Sequence, residues 1–217
     1  MLMTRAAMDL VGDKLPGFLT AGLDTIAHCV VDPDYVKHRA TPQLRDAENP
    51  EHYLDLELLE GNALPPTRYE YLALVHELGQ KPDKVGTLPY AVTEAAQRLT
   101  LAFAEHRRWP ENPHIRMKCL VYAGWLSHYA QDLEMPLHTT VHWDGRAVEG
   151  EAYQRTGIHA KIDDLPHRFT LEQIDWPSGQ TIEPAADVFA AVAAEFHQTH
   201  RRVDDVYAIA PDLPEGQ

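Results

Sequence analysis

The chain has 217 residues, of which 44% are hydrophobic and 24% are charged. This length and composition fit one globular domain with a substantial core, and they exclude a disordered chain. Lys and Arg number 19 against 33 Asp and Glu, which gives a formal net charge of -14. Binding of a polyanion by surface charge needs clustered Lys and Arg, so this sequence argues against that mode of binding. A phosphate-bearing substrate would need another source of positive charge, and bound metal cations are the natural candidate.

Two further features concern location and redox state. No apolar run approaches the roughly 20 residues needed to cross a bilayer, so the sequence predicts no transmembrane segment. Residues 1–5 lack the organisation of a signal peptide, which predicts a cytoplasmic protein if the chain is taken as it stands. Cys29 and Cys119 lie far apart in apolar, helix-like stretches, and we expect buried free thiols.

Helical patterns dominate the chain, whereas alternating β-branched runs hardly occur. Apolar spacing and the positions of proline and glycine predict helices over residues 4–13, 19–31, 89–109, 115–133, 157–165 and 184–209. Residues 37–69 contain four prolines and are predicted to form loops. The sequence therefore predicts an all-α single domain over residues 1–209, followed by a flexible tail at 210–217.

The sharpest chemical signal lies on the helix predicted over 115–133. His128 and Asp132 are four residues apart, so their side chains project from the same helix face. Pro136 ends the helix, and His138 follows where it can turn back towards that face. Two imidazoles and a carboxylate that converge suit a divalent cation such as zinc. A solvated polar pair fits less well, because the helix is apolar enough to be buried on most sides and buried polar groups need partners.

Other signals are weaker when each is taken alone. His159 and Asp163 repeat the spacing of four, which by itself is typical of a surface pair but after the first motif indicates a second set of ligands. His52 lies in a loop beside an aromatic residue, an arrangement that is often incidental. Asp34 lies at a helix end, where aspartate is also a common turn residue.

The combined pattern is more specific than its parts. Residues 128–138 read His-Tyr-x-x-Asp-x-x-x-Pro-x-His, residues 157–163 read Gly-x-His-x-x-x-Asp, and residues 52–55 read His-Tyr-Leu-Asp. In these motifs the chain resembles the superfamily of zinc-dependent phospholipases C and fungal single-strand-specific nucleases, over about residues 5–165. The resemblance implies an all-α domain with a zinc cluster that hydrolyses phosphate esters.

The resemblance also implies roles for individual residues. The two implied zinc sites comprise Asp34, His52, His128 and Asp132 for the first, and His138, His159 and Asp163 for the second. Asp34 and Asp132 would be catalytic, the first by orienting the nucleophile and the second by bridging the metals. Tyr53 and Asp55 match positions near the substrate. Asp32 and Asp46 are rivals of Asp34, because the spacing to the following histidine varies in the superfamily.

One implied feature lacks its residues in this chain. The superfamily's third zinc is held by an amino-terminal Trp and a nearby His, whereas this chain starts Met-Leu-Met-Thr-Arg and its first histidine is His28. Either the start is internal to a longer chain with these ligands and a signal peptide upstream, or the protein works with two metals. We favour the first explanation, which would make the protein secreted or periplasmic. A third zinc is expected only in that case.

The expected activity is that of a nuclease-like phosphodiesterase acting on single-stranded nucleic acid. Tyr53 and Trp143 favour this substrate slightly, because aromatic side chains are platforms on which bases stack. The alternatives are a phospholipase C that acts on phospholipids and a zinc-binding member without catalytic turnover. No stable protein partner is inferred. His142, Trp143 and Arg146 either line the pocket, where Arg146 could meet a phosphate, or belong to an ordinary loop.

Overall fold

The computed structural model describes residues 2–146, 148, 150, 152–173 and 183–213. Within these ranges the regular structure is helical, and the prediction of an all-α domain is confirmed. The α-helices of the described residues are α1 Leu2–Val11, α2 Gly17–Ala21, α3 Leu23–Cys29, α4 Asp32–Val36, α5 Pro42–Glu48, α6 Arg68–Glu77, α7 Pro82–Val85, α8 Leu88–Arg108, α9 Pro113–Leu133, α10 Ile158–Asp164, α11 Val188–His200 and α12 Val203–Ile209. No helix of this part of the chain combines the length and apolarity needed to span a membrane.

The long helices α8 and α9 form the centre of the fold. A short connection separates them, which favours antiparallel neighbours. The side chain of Asn112 accepts a hydrogen bond from the His114 backbone N–H at 2.9 Å, and Pro113 occupies the first turn, so both residue choices favour the start of α9. α11 packs on α8, and α3 packs on α9. The largest core cluster joins the inner faces of α8, α9 and α11, with Leu88, Tyr129 and Phe196 among its members.

Two smaller clusters hold the ends of the molecule. One joins α2, α3, α8 and α9 and includes Cys119. Both cysteines are buried and free, as the sequence predicts. The other cluster joins Leu137, Ile158 and Val206, so it fastens the turn after α9 and the start of α10 to α12. This last cluster therefore fixes the positions of two segments that follow the central helix pair, the turn after α9 and the start of α10.

Several predicted boundaries are wrong. Residues 19–31 form two helices, because Gly22 lies against Leu120: a Cβ at Gly22 would come within 2.6 Å of that side chain. Residues 184–209 also divide, at 201–202, into α11 and α12. The predicted loop at 37–69 contains α5, two 3₁₀ turns and the start of α6. Ala210–Asp212 forms a 3₁₀ turn and Leu213 packs against the third cluster, while residues 214–217 lie outside the described residues.

Gly124→Ala tests the close contact between α3 and α9. A Cβ at Gly124 would lie 2.6 Å from the Cβ of Cys29 and 2.9 Å from the carbonyl oxygen of Ile26, so α3 would have to move. We expect the substitution to lower the free energy of unfolding by about 1–3 kcal/mol, as overpacking typically does. Urea denaturation measures this change. Gly17→Ala is the control, because a Cβ there meets nothing within 4 Å. Equal stability of the two variants would contradict the tight contact.

Candidate metal centre

Five segments bring the predicted ligands to one region. His128 and Asp132 lie one turn apart on α9, and His159 and Asp163 lie one turn apart on α10. The remaining ligands come from short elements: Asp34 from α4, His52 from the 3₁₀ turn Asn49–His52, and His138 from the 3₁₀ turn Pro136–Thr139. A proline lies in the first two residues of each turn, Pro50 in one and Pro136 in the other, and fixes a backbone angle there, which sets the direction of the chain after α5 and after α9.

Backbone hydrogen bonds join the segments that carry His52 and His138. The N–H of Leu54 donates to the carbonyl of His138 at 2.9 Å, and the N–H of Asp55 donates to the carbonyl of Val85 at 2.7 Å. Gly86 lies directly against the backbone of Tyr53: its φ is 90°, and a Cβ there would come 2.0 Å from the Tyr53 carbonyl oxygen. Because only glycine tolerates both conditions, Gly86 fixes the path of the chain after His52.

The first group of potential ligands consists of Asp34, His52 and His128. One ligand atom from each lies within 4.8 Å of the others. Nδ1 of His52 and Nε2 of His128 are 3.0 Å apart, and they lie 2.9 Å and 3.2 Å from Oδ2 of Asp132. Both histidines are buried, whereas Asp34 is exposed and forms an ion pair of 2.7 Å with Lys37. Asp34 therefore lies on the solvent side of this group.

The second group consists of His138, His159 and Asp163, again with one ligand atom of each within 4.8 Å of the others. Nε2 of His159 lies 3.1 Å from Nε2 of His138 and 3.0 Å from Oδ2 of Asp163. The two histidine rings lie side by side with their centroids 5.0 Å apart. As in the first group, the histidines are the more enclosed members and the carboxylate of Asp163 faces solvent.

Asp132 lies between the two groups. Its Oδ2 faces His52 and His128, while its Oδ1 lies 3.3 Å from Nδ1 of His138. Burial acts to raise the pKa of Asp132, but the close imidazoles of His128, His138 and His52 outweigh it and hold the pKa well below its usual range. The carboxylate therefore stays charged, with one oxygen directed at each group.

The orientation of His128 leaves its inner nitrogen free to bind a metal. Nδ1 of His128 lies 2.7 Å from the carbonyl oxygen of Val30, at the end of α3. A carbonyl only accepts hydrogen bonds, so Nδ1 carries the hydrogen and, in the neutral ring, Nε2 keeps its lone pair. This lone pair points towards His52 and Asp132. A backbone carbonyl behind a histidine is a common way in which proteins fix the tautomer of a metal ligand.

The two groups fit a pair of cations on chemical grounds. Burial lowers the pKa of His52 and of His159, yet hydrogen bonds with Asp132 and Asp163 respectively raise it above the usual value. Carboxylates that favour an added proton at these imidazoles also favour a metal cation there. Nε2 of His52, Nδ1 of His138 and Nδ1 of His159 are buried without a hydrogen-bond partner. Each group could hold one metal ion, and the imidazole and carboxylate donors suit zinc.

The site lines one side of a cleft of about 1390 Å³. Tyr53, Asp55, Trp143 and Arg155 line the same cleft, so both predicted substrate-contacting residues lie beside the metal groups. The Tyr53 hydroxyl donates to the carbonyl of Asp83 at 2.8 Å, and burial, followed by the charge of Asp55, raises its pKa to about 12. The guanidinium of Arg155 lies 4.6 Å from the ring centre of Trp143.

Asp55 is partly protonated near neutral pH. Burial, followed by the charge of Glu57, raises the pKa of its carboxyl to about 7. Tyr53, Tyr71 and Tyr153 are the other titratable groups that Asp55 influences from neighbouring segments. A carboxyl in this state can donate as well as accept a hydrogen bond in the cleft.

Asp55→Asn is expected to raise the stability of the chelator-treated protein at pH 8, by up to about 4 kcal/mol. The raised pKa means that the protonated carboxyl contributes stability that is fully present below pH 4 and is lost as the pH rises through 7. Since asparagine stays neutral, the advantage of the variant should shrink as the pH falls towards 4. Urea denaturation between pH 4 and pH 8 measures this. Asp46→Asn, on the exposed face of α5, is the control, and a difference independent of pH would contradict the burial of Asp55.

The sequence leaves Asp34, Asp32 and Asp46 as rivals for the early ligand. Asp34 belongs to the first group, and neither rival does. Asp32 instead lies near Cys29, where burial, followed by the charge of Asp32, raises the pKa of the thiol. Arg146, for which the sequence left open a phosphate contact or an ordinary loop position, forms an ion pair of 2.6 Å with Asp204 of α12.

Sequence reasoning did not identify two buried carboxylates beside the groups. Glu48, the last residue of α5, lies 3.5 Å from Nε2 of His52 through its Oε1. Asp144 accepts a hydrogen bond from the backbone N–H of His159 at 3.3 Å. For Glu48 a signal existed, namely a carboxylate four residues before a candidate histidine. The loop sequence around Asp144 carries no comparable signal.

The described residues define an all-α protein with two groups of His and Asp side chains that could each hold a metal ion. No protein-family model, curated protein or solved structure matches the chain. The chemistry of these side chains is therefore the basis for assigning a function.

Proposed function

We propose that the protein is a metal-dependent hydrolase of phosphate esters, with two zinc ions held by the two groups, and that it acts as a nuclease-like phosphodiesterase. The observation that carries the proposal is the position of Asp132, with one carboxylate oxygen directed at each group. A carboxylate in this position can bridge two metal ions and fix their separation. Sites with two metals a few ångströms apart are typical of phosphodiester hydrolysis.

Zinc ions, when bound, would act as Lewis acids on the phosphate and would lower the pKa of water at the site. The chain itself supplies the ligands, the enclosure and the orientation. Its net charge of -14 would repel a phosphate ester, so the attraction of such a substrate depends on the cations at the site. Ligation by buried histidines keeps the inner side of the site away from solvent, while Asp34 and Asp163 define its open side.

Asp34 has the position needed to orient a water molecule. Its carboxylate belongs to the first group but is exposed to the cleft, where its neighbour Lys37 also lies. A carboxylate oxygen in this place accepts a hydrogen bond from water and directs the oxygen lone pair towards the substrate. Asp34 would therefore both ligate and orient. The ammonium group of Lys37, at 2.7 Å from Asp34, would hold this carboxylate in place.

The cleft wall favours a nucleotide substrate. Tyr53 and Trp143 are aromatic residues that line the cleft, and base stacking on aromatic surfaces is tolerant of sequence. Arg155, over the Trp143 ring, adds a cation that suits a neighbouring phosphate. The carboxyl of Asp55 can hydrogen-bond to a base edge in its protonated or its charged form.

A phospholipid is the second candidate, and one observation favours it. Apolar side chains of α1 and α8, including Met8 and Phe103, line the same cleft. An apolar surface beside a phosphate-binding centre suits an ester of a lipid alcohol. The same cleft therefore offers a polar wall for a nucleotide and an apolar wall for a lipid.

Hydrolysis assays distinguish these functions. Zinc-loaded protein is incubated with single-stranded DNA and with vesicles of a choline phospholipid, each with and without a chelator. The proposal expects cleavage of the DNA that the chelator abolishes. Chelator-sensitive cleavage of the phospholipid alone would replace the nuclease with the second candidate. Zinc binding without cleavage of either substrate would overturn the enzymatic proposal and leave a metal-binding protein without turnover.

A further inference from the structure

Glu48 is a buried charged residue beside the first metal group. It is 8% exposed and lies at the end of α5, next to the turn that carries His52. Its Oε1 accepts a hydrogen bond of 2.5 Å from the hydroxyl of Tyr129 and lies 3.5 Å from Nε2 of His52. Burial acts to raise the pKa of Glu48, but the nearby imidazole of His52 and the hydrogen bond from Tyr129 outweigh it and lower the pKa. A buried carboxylate is costly unless such partners stabilise it.

The two nitrogens of His52 have different surroundings. Nδ1 faces the first metal group, at 2.9 Å from Asp132 and 3.0 Å from His128. Nε2 points away from that group, is buried, and has no hydrogen-bond partner of good geometry. If Nδ1 binds the metal through its lone pair, Nε2 must carry the hydrogen of the neutral ring. The carboxylate oxygen Oε1 of Glu48 lies 3.5 Å from this nitrogen, on the side of the ring away from the metal group.

The two histidines of the first group thus have different supports behind them. Nδ1 of His128 contacts the carbonyl of Val30 at 2.7 Å, whereas Nε2 of His52 has the carboxylate of Glu48 behind it at 3.5 Å. A carboxylate behind an imidazole fixes the ring and makes its inner nitrogen a stronger donor to a metal than a neutral carbonyl does. Tyr129, which follows His128 in α9, donates to the carboxylate of Glu48 and so fixes its position.

We propose that Glu48 is a positioning residue that directs Nδ1 of His52 at the metal of the first group. The inference rests on the proposed metal centre and adds a specific role within it. Glu48 acts through His52 alone and touches neither metal nor substrate. Its loss should therefore weaken the first metal site selectively and leave the second site, held by His138, His159 and Asp163, unchanged.

The test is metal binding to the full chain with Glu48→Gln, which keeps the size of the side chain and removes its charge. Calorimetric titration with Zn²⁺ should show an affinity at one of two sites that is lower by about 10–100-fold, as for other residues behind metal ligands. The visible spectrum of the Co²⁺-loaded protein should change at the same site. Tyr129→Phe removes the hydroxyl but keeps the carboxylate, so its affinity should fall much less.

Glu51→Gln is the matched control for structural effects. Glu51 lies three residues from Glu48 and is paired with Arg68 through two hydrogen bonds of 2.6 Å and 2.8 Å. Its substitution should affect stability and leave both Zn²⁺ affinities as in the wild type. Thermal unfolding of all variants in chelator shows whether the apo fold is preserved.

The outcomes separate the two proposals. Failure of the wild-type protein to bind Zn²⁺ or Co²⁺ would overturn the metal centre itself. Two sites of wild-type affinity and an unchanged Co²⁺ spectrum in Glu48→Gln would overturn the role of Glu48 and leave the metal centre intact. Equal weakening of both sites with a lower melting temperature of the apoprotein would show that Glu48 is merely structural. Selective loss at one site with an intact apo fold supports the proposal.

Discussion

Replacement of Asp132 by alanine is expected to reduce bound zinc from two ions per chain to nearly none, and to lower phosphodiester hydrolysis by at least about 1,000-fold. The reason is that this side chain serves both groups: its two oxygens lie 3.2 Å from His128 and 3.3 Å from His138. A single truncation therefore removes a ligand from each site and the fixed separation between them. Metal analysis of dialysed protein gives the stoichiometry, and the DNA assay gives the activity.

Asp132→Asn refines this experiment. An amide offers one oxygen, so it can serve only one group at a time, and we expect about one zinc per chain. Asp46→Ala, at an exposed position of α5, is the control and should keep both metals. Helix content by circular dichroism shows whether each variant folds. Two zinc ions in a folded Asp132→Ala protein would refute the bridging role.

His159→Ala is expected to remove one of the two zinc ions while the other remains. His159 contacts His138 and Asp163 within the second group but has no contact with the first group among the described interactions. Because hydrolysis would require both cations, activity should fall by about 100-fold or more even though half of the metal remains. Zinc stoichiometry and activity are measured on the same preparation.

Asp164→Ala is the matched control on the same helix. Asp164 follows the predicted ligand Asp163, but its side chain forms an ion pair of 3.4 Å with Arg168. This surface pair contributes little to stability, so the variant should keep two metals and its activity. Loss of both zinc ions in His159→Ala would contradict the division into two groups. It would mean that the ligands of the two groups bind metal only together.

Local sequence determined most of the helices and two pairs of ligands. The ends of α8 and α9 lie within two residues of the predicted ends, because prolines and a capping asparagine act on their immediate neighbours. The spacing of four that joins His128 to Asp132 and His159 to Asp163 is likewise a property of the helix itself. These features need no knowledge of the rest of the fold.

Other elements depend on contacts that the sequence does not reveal. The sequence predicts a loop for residues 68–69 and no element for the rest of α6, yet Tyr71 and Val75 are completely buried in the largest core cluster. The division between α2 and α3 follows from the packing of Leu120 against Gly22, about 100 residues away in the chain. Tertiary packing outweighs local preference at such places.

The sequence by itself thus determined an all-α chain and a set of histidines and aspartates with metal-ligand spacing. Only the tertiary structure decided that Asp132 lies between two groups, that Asp34 and not Asp32 or Asp46 joins the first, and that Glu48 stands behind His52. The physical reason is that side-chain direction along one helix is fixed by its 3.6-residue period. The meeting of α4, α9, α10 and two turns depends instead on how distant apolar faces pack together.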